Sequence, residues 1–390
     1  MIERRIYLDY AATTPVDARV VEAMRPYWDE HFGNPSSVHA FGQAAEAALE
    51  GARERLAARL GCAPAEILFT SGGTESDNLA IRGVALAAQA RRCARHVLTT
   101  PVEHPAVLNA CAYLRRHHGF EVEHLHVDGF GVVDPETVAA ALRPDTALVS
   151  VICGNNEIGT INPVADIAAV CRSRGVPLHT DAVQAAAWLS VSPADLGADL
   201  ISIGAHKFYG PKGVGALYCR AEVDLIPVQP GGEQEGGRRA GTQNVPLIVG
   251  LARAFEIADD ERHERSEHAR ALRDRVIDGV LSAVDGARLT GHPAHRLPNH
   301  ASFVLPGVEA NRLLAALDLA GFACSSGSAC KTGDPSPSSV LLALGLTPDE
   351  ALGSLRVTVG RSTEPSDIEA FLDTLPRLVA TQRRLTVPAA

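Results

Sequence analysis

No stretch of this chain approaches the roughly 20 consecutive apolar residues that a membrane-spanning helix requires. The opening residues, Met1-Ile-Glu-Arg-Arg-Ile-Tyr-Leu-Asp9, hold no apolar signal core, so a cytoplasmic location is expected. Positive charge is short too. A net charge of -10 argues against a nucleic-acid backbone or an anionic membrane as the main partner. The eight cysteines, at 62, 93, 111, 153, 171, 219, 324 and 330, include no Cys-x-x-Cys pair. A chain of 390 residues needs no disulfide staples, so most of them read as small buried hydrophobes. Fifteen histidines are present, yet His117-His118 and the alternating His124 and His126 make no ligand set, and no metal is expected. No internal repeat is visible.

What is there describes an ordinary globular protein, 46% apolar and 21% charged, long enough for one larger and one smaller domain. Helical and strand patterns alternate. A helix is expected over 42–60, a strand over 67–70 and a helix over 75–90. Strands follow at 96–100, 122–127, 147–153, 176–180, 200–203 and 215–219. Such alternation implies an α/β protein with a largely parallel sheet, covered on both faces, and ligand groups at the strands' carboxyl ends. A charged helical segment over 248–284 leads to a second region, with strands at 301–305 and 354–359, a helix at 311–320 and a last helix from 366. Residues 325–339, with six Ser, two Gly and two Pro, read as an exposed loop.

The chemistry centres on Asp199-Leu-Ile-Ser-Ile-Gly-Ala-His206-Lys207-Phe-Tyr-Gly-Pro-Lys-Gly-Val-Gly215. An apolar strand ends in His-Lys, and burial there lowers an amine's pKa and prepares it to form a Schiff base. Such a lysine can anchor pyridoxal phosphate (PLP), an electron sink that wants an acidic partner for its ring nitrogen. Thr70-Ser-Gly-Gly-Thr-Glu-Ser-Asp-Asn78 joins a strand to a helix and can cradle an anion, or can simply be an N-cap. Asp181 ends another apolar strand 26 residues before Lys207, either as a turn former or as the acid for a pyridinium N–H. The three together favour a PLP site.

The motifs then become specific. Tyr7-Leu-Asp-Tyr-Ala-Ala-Thr-Thr-Pro15, Phe32-Gly-Asn-Pro35, Thr70–Asn78, Glu103-His104, Asn155-Asn-Glu-Ile-Gly159 and Asp181–Gln184 are followed by His206–Gly213, Arg238-Arg-Ala-Gly-Thr242, Ser325-Ser-Gly-Ser-Ala-Cys330 and Leu355-Arg356. In this order, over nearly the whole chain, they resemble the cysteine desulfurases of the NifS/IscS group, within the class V aminotransferase family. The resemblance implies the PLP-dependent transferase fold type I, with a mostly parallel seven-stranded sheet. It places a large domain at 15–255 and a smaller α+β domain at 1–14 and 256–390.

It also implies roles. Lys207 carries the cofactor and later moves the substrate's Cα proton, Asp181 keeps the pyridine nitrogen protonated, and Gln184 and Asn156 lie near the phenolic oxygen. His104 stacks on the ring and assists proton transfers. Gly73, Thr74 and His206 hold the phosphate, joined by Thr242 from the other subunit of a homodimer. Arg356 clamps the substrate carboxylate in a charge-assisted pair, with Asn34 and Asn156 also at the substrate. The strand pattern agrees, since Leu355, Val357 and Val359 share one face and leave Arg356 on the other. Cys330, on the Ser/Gly loop, is the nucleophile that takes sulfur from L-cysteine as a persulfide, leaves L-alanine, and passes sulfur to an acceptor such as an iron–sulfur scaffold. Lys331 beside it favours the thiolate modestly. Cys324, after apolar residues, reads as a packed thiol. The rivals are a selenocysteine lyase, a class V aminotransferase and a scaffold protein without turnover.

Three departures stand out. Gly204 occupies a position where relatives carry a phosphate-binding serine. Glu233 and Gly236 replace glycine and arginine in 231–237. The tail after the last helix is shorter than in relatives that use it to dock a scaffold.

Overall fold

The computed structural model describes residues 5–327 and 337–386. A short first strand, β1 (Ile6–Tyr7), precedes seven strands of one sheet. These are β2 (Ile67–Thr70), β3 (His96–Thr99), β4 (Glu121–His124), β5 (Thr146–Ser150), β6 (Leu178–Asp181), β7 (Leu200–Gly204) and β8 (Gly215–Cys219). Their spatial order is β2-β8-β7-β6-β5-β3-β4, and β8 alone runs against the direction of the other six.

The sheet is covered on both faces, which is why its central strands read as unbroken apolar runs. Alternate residues feed two cores. Leu68, Val97, Leu148, Leu200 and Leu217 pack under helices Gly73–Arg92 and Pro105–His118. Phe69, Leu98, Val149, Ile201 and Ala216 belong to the larger core, with helices Ala40–Leu60, Val164–Ser173 and Val245–Asp260. Edge strand β4, Glu-Val-Glu-His, is only partly covered and carries charges that discourage pairing with another chain. The strand expected over 122–127 therefore ends at His124, after which Leu125 and Val127 turn into the core.

The helix expected over 248–284 is two helices, Val245–Asp260 and Arg262–Ala283. They break at Glu261, whose backbone (φ -93°, ψ 3°) leaves the helical region while its carboxylate takes an ion pair from Arg19 at 2.7 Å. The second helix and Pro365–Thr386 pack beside a small antiparallel sheet of β9 (Arg288–Leu289), β10 (His300–Val304) and β12 (Ser354–Thr358). Between them in sequence, β11 (Phe322–Ala323) pairs in parallel with β1. This brings the N-terminal segment to the C-terminal region. A bridge between Asp9 and Thr358 continues the contact.

Candidate active site

A cavity of about 450 Å³ opens at the carboxyl ends of β5, β6 and β7, as expected for a parallel sheet. One wall is the β2–helix junction. Gly72 sits at φ +150°, open to glycine but rare for other residues, and helix Gly73–Arg92 starts beside it. A Cβ on Gly73 would lie 2.6 Å from Val183 Cγ2, so this wall admits no side chain there. Gly73 and Thr74 line the cavity with the helix's N-terminal N–H groups, which have no partner within the helix. Glu75 accepts from the Ser71 N–H at 2.7 Å and pairs with Arg239 at 2.7 Å, tying 238–242 to the same corner.

Gly204 closes the cradle. A Cβ there would meet Gly73 N and Val183 Cγ1 at 3.4 Å, a close contact at the edge of the ordinary range. Gly204→Ser is therefore expected to add a donor beside the Gly73 amide and tighten an anionic cofactor by up to roughly tenfold. Fluorescence titration of the cofactor-free protein reads this, and unchanged or weaker affinity would show that backbone amides or water already satisfy the anion, or that the strand cannot take a side chain.

The acidic wall is the end of β6. Asp181 is buried and accepts from the Val183 N–H at 2.9 Å. Burial and the neighbouring Asp77 carboxylate push it up to about 6, whereas a cation against it would bring it down. Asp77, fully enclosed, is pushed up to about 7 by burial, and its Oδ1 has no hydrogen-bond partner among the described residues. One atom each of Asp77, His104 and Asp181 lie within 4.8 Å of one another. His104 caps helix Pro105–His118, its Nδ1 accepting from the Ala106 N–H at 3.1 Å. That bond leaves the neutral ring's proton on Nε2, and burial holds the imidazole below its ordinary pKa. Behind them His179, bridged to Ser150 (2.9 Å) and Ser202 (3.0 Å), is pushed down to about 4 by burial and stays neutral.

At the end of β7 the turn Ala205–Lys207 presents the amine. Lys207 Nζ donates to the Ala11 and Ala12 carbonyls at 2.6 and 2.7 Å, and Gln184 Nε2 donates to Ala11 O at 2.8 Å. The Tyr7–Pro15 block is thus a wall of the cavity. His206 Nδ1 lies 3.1 Å from Thr13 Oγ1, and burial with two nearby lysines pushes the ring down to about 4.

The opposite wall comes from β12. Arg356 is 3% exposed, donates from Nη1 to Asn156 O at 2.7 Å and from Nη2 to Asp9 Oδ1 at 2.9 Å. Its Nε has no partner among the described residues. The 155–159 turn divides its labour. Asn155 Oδ1 accepts from the Glu157 and Ile158 N–H groups (2.8 and 2.9 Å) and shapes the turn, while Asn156 and Glu157 line the cavity. Burial pushes Glu157 up to about 7, with the Ser338 hydroxyl and Arg356 pulling the other way.

Gly73, Thr74, His104, Asn156, Asp181, Gln184, His206, Lys207 and Arg356 therefore meet in one cavity. Two other expected residues do not join them. Asn34 is exposed and caps its own turn, accepting from the Ser36 N–H at 3.0 Å, and Thr242 is exposed three residues past Arg239. Cys330 lies outside the described residues. Cys324 packs against the core, where burial and Asp9 hold its thiol well above the ordinary range. Asp9, Asp77 and Glu157 were missed as site residues although each lies inside a quoted motif. Outside the cavity, Glu235 is buried beneath Arg53 at 2.8 Å and accepts from the Phe69 N–H at 3.0 Å. That pair fixes the irregular 233–237 segment against β2.

Comparison with known proteins gives this geometry a family. The aminotransferase class-V pattern matches residues 6–371. A cysteine desulfurase IscS of Dictyoglomus turgidum is 45% identical over 385 residues, covering 99% of this chain and 97% of that protein. One of Methanosarcina thermophila is 43% identical, covering 98% and 94%. Among solved structures, a NifS-like protein superposes with a TM-score of 0.89 at 38% identity, covering 97% of this chain and all of that one. A structure titled SspA in complex with cysteine gives 0.80 at 35% identity, covering 91% and 98%. A glycine cradle, a strand-end acid, a strand-end lysine and these full-length likenesses agree: the chain belongs to the aminotransferase class-V family.

Proposed function

We propose that this chain is a PLP-dependent cysteine desulfurase, and that the observation carrying this is the convergence of Lys207, Asp181, the Gly73–Thr74 amides and Arg356 on one cavity. The residues fit the cofactor. A side-chain-free anion cradle suits its phosphate, the enclosed Asp181 suits a ring N–H, and Lys207 suits its aldehyde. When bound, PLP supplies an electron sink for bonds at the substrate's Cα and Cβ.

The chain's own residues do the rest. Arg356 holds the substrate carboxylate, with Asn156 beside it. Lys207, freed from Ala11 and Ala12, moves the Cα proton, and His104, neutral with its proton on Nε2, is placed to share it. The Cys330 thiolate attacks the substrate sulfur. An S–S bond forms as the Cβ–S bond breaks, and the carbon skeleton leaves as alanine after gaining a proton. The persulfide then passes to an acceptor protein, for which an iron–sulfur scaffold is the reading we favour. The division at residues 14/15 and 255/256 belongs to the same proposal. So do a cytoplasmic location and the assignments of Asn34 to substrate and Gln184 and His206 to cofactor.

A homodimer completes the site. Thr242 is exposed, and the Arg239–Glu75 pair holds its segment beside the phosphate corner. We place it at the partner's phosphate. Mixing a Thr242→Ala chain with a Lys207→Ala chain is then expected to restore up to about half of full activity in each mixed dimer, because one of its two composite sites regains both residues. Verified mixed dimers that stay inactive would refute the shared site.

A further inference from the structure

Glu157 plays no part in the chemistry above, yet its carboxylate occupies a singular place. Its turn is fixed from behind by Asn155, and the side chain reaches the cavity wall. Ser338, 2% exposed, donates its hydroxyl to Glu157 Oε2 at 2.5 Å. The same Ser338 oxygen accepts from the Leu341 N–H at 3.2 Å and so caps helix Ser339–Ala343. From the other side comes Gly327. A Cβ there would lie 2.9 Å from Glu157 Oε2 and 3.7 Å from Ser338 Oγ, so its backbone rests against that one oxygen.

Residues 327 and 338 flank the segment that carries Cys330. Glu157 therefore touches the chain just before that segment and just after it, at two buried points. Gly327, three positions before Cys330 in the sequence, itself lines the cavity.

We propose that Glu157 is a positioning residue for the sulfur-transfer step: by holding Ser338 and Gly327 together it fixes the point from which Cys330 is delivered to the substrate sulfur. This rests on the reading of Cys330 as nucleophile. Glu157 is not needed to bind substrate or cofactor, and its work shows in turnover alone.

The test uses the PLP-loaded enzyme with L-cysteine. Glu157→Ala is expected to lower kcat for alanine release by roughly ten- to a hundredfold, the equivalent of one charge-assisted hydrogen bond. KM for L-cysteine and the cofactor's visible absorbance stay within about twofold. Glu157→Gln keeps a carbonyl acceptor for Ser338 and is expected to recover most of kcat. Ser338→Ala added to Glu157→Ala is expected to lower kcat little further, since the contact between them is already gone, and to cost stability through the lost helix cap. Gly327→Ala keeps the carboxylate in the chain but places a Cβ 2.9 Å from Oε2, which pushes it off Ser338; this variant guards against a Glu157→Ala chain that fails to fold and is expected to show the same fall in kcat.

A Glu157→Ala enzyme with unchanged kcat, a rise in KM at constant kcat, or a glutamine variant no better than alanine each overturns the proposal. Cys330→Ser run in parallel separates the two layers. Turnover surviving in Cys330→Ser sinks the persulfide reading itself, whereas its loss, with full turnover in Glu157→Ala, sinks only the positioning role.

Discussion

Cys330→Ser is expected to release almost no alanine from L-cysteine while keeping its cofactor and visible absorbance. The structure removes the competing thiols one by one. Burial raises Cys62, Cys111, Cys153 and Cys171 to about 12 and Cys219 to about 11, and carries Cys324 higher still. At neutral pH none of these is an available thiolate, and the thiolate is the nucleophile. Cys93 is exposed, but it caps the far end of helix Gly73–Arg92, about 30 Å from the cavity corner where that helix begins. Cys330 is what remains. Cys324→Ser, by the same argument, keeps most activity and loses about 1–3 kcal/mol of stability, because a hydroxyl replaces a packed thiol. Mass spectrometry after exposure to L-cysteine should find the extra sulfur on Cys330. Sulfur on Cys324 would move the nucleophile to that thiol, and full turnover without Cys330 would replace sulfur transfer with a simple elimination.

The residues legible in the sequence were those whose neighbours along the chain announce them. Lys207, Asp181 and Gly73 each end or follow a short apolar strand, and a parallel sheet brings successive strand ends to one edge whatever lies between. Sequence alone thus brought them to one cavity before any distance was known. His104 was legible through its motif, and the structure adds that burial keeps it neutral while capping a helix with Nδ1 fixes its proton on Nε2.

What stayed hidden depends on pairings that no local pattern encodes. Glu157 meets Ser338 across 181 residues, Arg53 meets Glu235 across 182, and Arg356 meets Asp9 across 347. The break at Glu261 was equally silent, because an ion pair to Arg19, far upstream, accompanies it. Strand ends missed by a few residues have a related cause. After Ser150 the chain still bonds across to the neighbouring strand, Val151 N to His179 O and Cys153 N to Asp181 O, yet it no longer forms a regular ladder.

Lys207→Ala is expected to abolish covalent retention of the cofactor and to cut desulfuration by roughly 10²–10⁴-fold or more, the span lost with a positioned proton-transfer group. The structural cost of the change is small enough to keep that reading clean. Lys207 donates to Ala11 and Ala12, but Gln184 holds Ala11 independently at 2.8 Å, so the N-terminal wall retains an anchor. The chain offers few alternatives, for it contains only three lysines, Lys207, Lys212 and Lys331. Lys212 is exposed in the turn after the strand and does not line the cavity. Borohydride reduction of the holoenzyme, followed by peptide mapping, should place the pyridoxyl group on Lys207 alone, and the alanine variant should lose the label with its fold intact by circular dichroism. A label on Lys212 or Lys331 would move the cofactor away from Asp181 and the glycine cradle. The convergence of groups at the carboxyl ends of β6 and β7 would then have no ligand to explain it.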